Sequence, residues 1–346
     1  MKAWNVAVGA ALAAWVVFAP GAAAQDDAQP SILEQMRTEA GNLRPLVESE
    51  LANDFLTAVE DLPSIEGERV VYFRRSDRSA LSEEDAMALS EEERAEYQRM
   101  ELGERFHYQT FYGTPLAYVR AIDLADGAGF VDADGARVFD FGFGGVGHLR
   151  LLASLGADTV GVEVLELLDE YYNESDMGAV ERAEVAGAGE QGTITLLYGQ
   201  WPAEADVFEA AGGGFDLMMS KNTLKKGYIH PEREVDPRML VHLGVSDEAY
   251  AQAMFDSLAP GGLFVIYNLY PPPRGEDQPY QPWRSGECPF ERDLLEDVGF
   301  EIVAFDVDDT SFSHEMAHAL GWDAGERAMD LENGLRAMYT VLKRPE

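Results

Sequence analysis

Three stretches of this sequence gather residue types that can do chemistry. The first is Val138-Phe139-Asp140-Phe141-Gly142-Phe143-Gly144-Gly145-Val146-Gly147-His148-Leu149-Arg150, an apolar run that turns on glycines into a helical pattern carried by Leu151, Leu152 and Leu155. Glycine accepts positive φ and lets backbone N–H groups approach a ligand, and a helix start favours a carboxylate or phosphate. About twenty residues further on, where nucleotide folds place a ribose-binding acid, Gly161-Val162-Glu163-Val164 ends a strand on a carboxylate able to accept two hydroxyls.

The second stretch runs Phe215-Asp216-Leu217-Met218-Met219-Ser220-Lys221-Asn222, then Thr223-Leu224-Lys225-Lys226-Gly227-Tyr228-Ile229-His230-Pro231. The chain's lysines are Lys2, Lys221, Lys225, Lys226 and Lys343, so three of them gather here. In so acidic a chain that clustering points to an anionic substrate or a clamp on a carboxylate. Lys221, Tyr228 and His230 are the candidate catalytic groups, with His230 or Tyr228 able to take a proton from an acceptor.

The third stretch, His314-Glu315-Met316-Ala317-His318, has the H-E-x-x-H spacing that sets two imidazoles on one helix face with a glutamate beside a zinc ion. The longer protease form of that motif wants a further histidine where Ala324 stands, and Glu326 or Glu332 as third ligand would be a guess. The expectation is an amphipathic helix burying Phe312, Met316 and Leu320, with no metal; a zinc hydrolase is the lesser alternative.

The elements that must position these groups follow from periodicity. After Gly135, strands are expected over Arg137 to Phe141, Thr159 to Val164, Thr193 to Tyr198, Phe215 to Met219 and Leu263 to Leu269, alternating with helices, which implies a parallel sheet covered on both faces. Glu301 to Val307 and Met338 to Leu342 add two more. The H-E-x-x-H helix falls between these last two, which leaves no room for a protease domain around it. Residues 25–134 read as a helical accessory segment with one strand, Arg69 to Phe73, and a helix start at Ser82. The aromatic stretch Phe106-His107-Tyr108-Gln109-Thr110-Phe111-Tyr112-Gly113-Thr114-Pro115 leads from it into a helix expected to pack over the domain that follows.

In this order of features the sequence resembles the class I S-adenosylmethionine-dependent methyltransferases. Asp140, Gly142 and Gly144 match that family's acidic-x-Gly-x-Gly loop, and Glu163 its ribose-binding acid. Leu258-Ala259-Pro260-Gly261-Gly262-Leu263 matches the turn into its fifth strand, and Leu294-Leu295-Glu296-Asp297-Val298-Gly299-Phe300-Glu301 the passage into its sixth. The resemblance covers roughly residues 135–346 and implies an α/β, Rossmann-like, doubly wound sheet of seven mostly parallel strands. It also implies S-adenosylmethionine as cofactor, held by Asp140, Gly142, Gly144, Gly147, Glu163 and Ser220, and methyl transfer to a small, possibly anionic acceptor. There are departures. Val146 replaces the family's usual third glycine, flanked by Gly145 and Gly147, and Gly199-Gln200-Trp201-Pro202 replaces the acid near the adenine. Gln200 is expected to accept the adenine amino group and Trp201 to stack on the base. A non-catalytic nucleoside-binding module on the same fold is the alternative.

Composition bounds the partners. The chain has 63 acidic and 26 basic residues, a formal charge of −37, and a field of that sign repels phosphate backbones, which excludes nucleic acid as substrate. Lys2, the apolar run Val6 to Phe18, Pro20-Gly21 and Ala22-Ala23-Ala24 read as a signal peptide over residues 1–24, cleaved after Ala24. The run is shorter than the ~20 residues a bilayer span needs, so no stable membrane association is expected after cleavage, and the mature chain is expected in a periplasm or secreted. Cys288 is the single cysteine and is expected to be buried.

Overall fold

The structure, a computed structural model, describes residues 30–346 apart from 111, 112, 276 and 327; the expected signal peptide lies outside the described residues. Two sheets organise the chain. Strands β1 (Arg69–Phe73), β2 (Ala80–Ser82) and β3 (Gln98–Leu102) form a small antiparallel sheet in the order β2-β1-β3. Strands β4 (Arg137–Phe141), β5 (Asp158–Glu163), β6 (Gly178–Ala179), β7 (Thr193–Tyr198), β8 (Phe215–Lys221), β9 (Leu258–Tyr270), β10 (Glu301–Asp308) and β11 (Arg336–Lys343) form the main sheet in the order β10-β11-β9-β8-β4-β5-β7-β6. Five of these, from β7 through β5, β4 and β8 to β9, run parallel; β11 lies antiparallel to both β9 and β10.

The sheet is therefore α/β and doubly wound as expected, with the seven expected strands present and an eighth, two-residue strand at one edge. Leaving β11 aside, the order from β7 to β10 is that of the dinucleotide-binding sheet. Chain connections leave β4 toward β5 on one side and the following parallel strand, β8, lies on the other, so the switch point falls between β4 and β8. Ligands bind α/β sheets outside the carboxyl ends of strands at that point. The central strands are buried on both faces, which is why Val138-Phe139 and Leu217-Met218-Met219 read as continuous apolar runs.

On one face, Val138, Leu217, Met219, Val265 and Tyr267 pack against Leu116, Ala121, Ile122 and the N-terminal residues Met36, Phe55 and Leu56. On the other, Phe139, Met218, Phe264 and Ile266 pack against Trp201, Tyr250, Met254, Phe290 and Leu295. Among the described residues the segment before Gly135 thus shares the core of one sheet face. That segment is not only helical. It holds helices Ile32–Leu43, closed by a Ser31–Glu34 capping box, and Glu50–Thr57, capped by Ser49, but also the three-stranded sheet, of which only β1 was expected. β2 is three residues long and β3 reads Gln-Arg-Met-Glu-Leu, too short and too polar to stand out from a helical background. Ser82 does cap the helix Glu83–Ala88, accepting the N–H of Asp85.

Candidate active site

β4 delivers the chain to the glycine turn. Gly142 and Gly144 have φ of 77° and 60°, the left-handed region where glycine is favoured, and the Gly142 N–H bonds to the Val162 carbonyl on β5 at 2.9 Å. Thr223, beyond β8, stands directly over Gly142, where a Cβ would meet its side chain. The next two glycines serve the protein rather than a ligand. A Cβ on Gly145 would run into the carbonyl oxygen of Gln109, and one on Gly147 into that of Tyr108 and the ring of Pro115. The Val146 N–H is taken by the Tyr172 hydroxyl at 3.1 Å, which itself donates to the His107 carbonyl at 2.8 Å. Gly147, expected at the cofactor, instead opens the helix Gly147–Ser154 against the accessory segment.

Glu163 ends β5 beside the turn. Its carboxylate is buried and accepts the N–H groups of Val164, at 2.8 Å, and of Gly144 and Leu165. Burial nonetheless raises its pKa above the ordinary carboxylate value, the hydrogen bonds offsetting only part of the desolvation. Glu163 lines a cleft of about 330 Å³, counting space open to solvent, together with Phe141 and Gly142 from β4, Gln200 and Trp201 after β7, Thr223 after β8, and Val241 and His242 from the following loop. Trp201 is 1% exposed and packs against Phe139, Phe208 and Tyr250, so it forms the floor of the cleft more than an open stacking face; its bond to Pro202 is cis. Gln200 is half-buried, facing Gly244. A larger groove, about 940 Å³ with its open space, lies between Asp123, Asp126 and the β10–β11 edge, but Arg120 at its wall is held by Asp309 and Asp123 and no reactive set converges there.

Asp140 points to the opposite side of β4 from the cleft floor, into the accessory segment. It is fully buried, and its Oδ2 accepts the Tyr118 hydroxyl at 2.9 Å and lies 2.6 Å from His148 Nε2. Sequence reasoning missed Tyr118, His148, Thr223 and His242. The only available signal was position, His148 one residue into the helix after the glycines and Tyr118 in the segment expected to cover the domain.

The lysine stretch is reorganised by burial. Lys221 is 5% exposed, its Nζ 5.3 Å from the centre of the Tyr118 ring, and burial pushes its pKa down to about 8 while the Asp140 charge pulls it back. Burial and then the Lys221 charge push Lys225 to about 7, and its Nζ donates to the Leu269 carbonyl at 2.6 Å. Lys226 is at the surface, 3.4 Å from Glu291. Ser220 Oγ accepts the Leu224 N–H at 3.3 Å, and Asn222, at φ 66°, accepts the Leu269 N–H at 2.7 Å, so both brace the turn after β8. Tyr228 is buried in the core on the second sheet face, and His230 is 42% exposed and paired with Asp247 at 2.8 Å. The three expected catalytic side chains are thus not brought together. Lys221 faces the accessory segment, Tyr228 the other core and His230 solvent.

The H-E-x-x-H helix forms as Thr310–Ala319 with Met316 buried, but its imidazoles diverge from a metal geometry. His314 Nε2 lies 3.0 Å from the Leu335 carbonyl and His318 Nδ1 2.8 Å from Asp323. Among the described residues no group of three or more His, Cys, Asp or Glu is placed to hold a metal ion. Cys288 is buried, with its thiol pushed up to about 12 by burial.

No protein-family model and no curated protein sequence matches the chain. Solved structures do match it. An S-adenosylmethionine dependent methyltransferase from Mesorhizobium loti is 17% identical, covering 66% of this chain and 98% of its own, at a TM-score of 0.34. The geranyl diphosphate C-methyltransferase from Streptomyces coelicolor A3(2), solved with Mg2+, geranyl-S-thiolodiphosphate and S-adenosyl-L-homocysteine, is 12% identical over 66% and 76%, at 0.39. The [4+2]-cyclase SpnF is 16% identical over 65% and 80%, at 0.35.

Proposed function

We propose that this protein is an S-adenosylmethionine-dependent methyltransferase acting on a small molecule. The observation that carries the reading is the cleft at the switch point. The glycine turn, a buried strand-end acid and the Gln200–Trp201 corner come from the ends of three adjacent parallel strands and border one narrow cleft. The residues present fit the cofactor's nucleoside. Glu163 offers an acceptor for ribose hydroxyls at the edge of that cavity, Phe141, Trp201 and Val241 give it apolar walls, and His242 Nε2 is buried there with no hydrogen-bond partner among the described residues.

When bound, S-adenosylmethionine supplies a methyl group activated on a sulfonium. The chain's part is then to fix nucleoside and acceptor in line and to keep water out. An anionic acceptor would be met by Lys221, since Lys225 is held by the Leu269 carbonyl and Lys226 by Glu291. Export forms part of the same proposal and rests on residues 1–24; no helix among the described residues is long and apolar enough to cross a membrane.

Calorimetric titration of the mature chain with S-adenosylmethionine and S-adenosylhomocysteine tests the cofactor, with Glu163→Ala alongside. Two lost hydrogen bonds to a charged acceptor, each worth about 1.5–3 kcal/mol, predict a weakening of about a hundredfold or more. A folded wild-type sample that binds neither ligand rejects the reading. N-terminal sequencing of protein recovered outside the cytoplasm should begin at Gln25, and an intact Met1 there rejects export by cleavage.

A further inference from the structure

We propose that residues 231–240 form a lid on the nucleoside cleft, hinged at Val241 to Leu243 and latched by Arg238 on the Ser76 carbonyl of the β1–β2 turn, and that the cleft exchanges its ligand only when this latch opens. This rests on the nucleoside reading above and adds how access to that site is controlled.

The two halves of the latch belong to different walls of the cleft. On one side the turn between β1 and β2 is stiff, because Asp77 accepts the N–H and the hydroxyl of Ser79 and pairs with Arg74 at 2.6 Å. Just beyond the turn the Ala80 N–H bonds to Glu166 at 3.0 Å, which fixes it to the wall that carries Glu163. On the other side the chain leaves the helical turn Lys226–Ile229 and returns to the helix Asp247–Ser257. His230 Nε2 lies 2.8 Å from Asp247, which draws the two ends of that loop together. Val241 and His242 on its returning limb line the cleft, and Arg238 on its outgoing limb reaches Ser76 at 3.2 Å.

The cleft between these walls is tight. Ligand pockets typically hold about 300–1,000 Å³, and this one reaches about 330 Å³ only when its solvent-open space is counted, so a nucleoside enters by widening it. The loop is fastened unevenly, which decides how that happens. Val241 and Leu243 are buried in the core of the second sheet face and seat the returning limb. The outgoing limb has Glu232, Glu234, Pro237 and Arg238 at the surface. There the Glu232 N–H meets the Tyr280 hydroxyl at 3.3 Å and Arg238 meets Ser76, each a single exposed hydrogen bond. The lid therefore lifts from the Arg238 end and pivots on the buried limb. The side chains that line the cleft stay at the hinge, so the lid sets the rate of exchange and not the affinity.

The test follows binding and release of S-adenosylhomocysteine by stopped-flow tryptophan emission, Trp201 lying in the cleft floor, on wild type and Arg238→Ala. Exchange through a latched lid makes both rate constants proportional to the fraction of open protein. Arg238→Ala should therefore raise association and dissociation by the same factor, about two- to tenfold for one hydrogen bond, and leave Kd unchanged. The probe carries no net charge at neutral pH, so loss of the Arg238 charge does not by itself alter the encounter rate. Unchanged rate constants in Arg238→Ala, or a change in one of them with a matching change in Kd, overturns the lid while wild-type binding leaves the nucleoside reading standing. Failure of folded wild type to bind S-adenosylhomocysteine overturns both.

Discussion

The imidazole of His148 lies flat against the ring of Tyr118, with 3.6 Å between centroids and 6° between planes, and both side chains reach the same oxygen of Asp140. Tyr118 belongs to the accessory segment, Asp140 to β4 and His148 to the helix after the glycine turn. Three parts of the chain are therefore bolted together at one buried carboxylate. Tyr118→Phe keeps the stack and loses one hydrogen bond to a charged acceptor, an expected cost of about 1.5–3 kcal/mol. His148→Phe strips more from a dry carboxylate and should cost about 3–5 kcal/mol. Urea unfolding midpoints check the order, and a Tyr118→Phe variant as damaged as His148→Phe would contradict it.

Gly145 and Gly147 should tolerate alanine poorly. The obstacle in each case is a backbone carbonyl of the covering segment, which cannot swing aside as a side chain can. Each Gly→Ala change is expected to cost roughly 1–3 kcal/mol or more and to loosen residues near Tyr108. Faster tryptic cleavage at Arg99 or Arg105 would report that loosening, and an unchanged cleavage rate would argue that the segment is not held by this contact.

His107 gives the fold a pH dependence. It is fully buried among Tyr108, Tyr171 and Tyr172, and burial holds its pKa well below the ordinary 6.5, outweighing the pull of Asp176. Above pH 6.5 the imidazole is neutral in folded and unfolded chains alike, so it makes no difference there. As pH falls below 6.5 the unfolded chain takes up a proton that the folded chain resists, and stability drops. His107→Phe should flatten the stability profile between pH 6.5 and the depressed folded value, measured by denaturant midpoints; an unaltered slope would mean the imidazole is hydrated.

Glu163 has the opposite chemistry and the opposite sign of pH dependence. Its folded pKa is raised by burial, so ionisation is penalised in the fold, and the penalty grows as pH rises from the unfolded value near 4.5. Glu163→Gln should therefore melt higher than wild type at pH 8 and show little difference at pH 4, while binding nucleoside more weakly. A variant less stable than wild type at pH 8 would show that the hydrogen bonds from Val164, Gly144 and Leu165 outweigh the desolvation.

Much of the sheet is legible because its central strands are buried on both faces and must be apolar runs. Thr193–Tyr198 and Arg137–Phe141 start and stop where periodicity places them. The glycine turn and Glu163 are legible for the same reason, being fixed in sequence relative to those strands. What escaped is tertiary. Nothing in the spacing of Tyr118 and His148 from Asp140 announces that they share an oxygen. The lysine stretch reads as a clamp for an anion, yet Lys221 and Lys225 are buried, Lys221 against Tyr118 and Lys225 on the Leu269 carbonyl, and only Lys226 stays outside. His314 and His318 satisfy a metal motif by spacing, and the partners they find, Leu335 and Asp323, are set by packing that no local pattern records.

The position of β11 bears on how the chain is built. It lies between β9 and β10, although it follows both in sequence, and β10 has β11 as its sheet neighbour. During synthesis from the N-terminus, β10 therefore emerges with no partner and waits until residues 336–343 arrive to slide in beside β9. For that interval the edge of β9 that β11 later pairs with stands open, an unpaired row of backbone groups that other chains can meet. A chain shortened before Arg336 would leave the β9 edge and both edges of β10 unpaired.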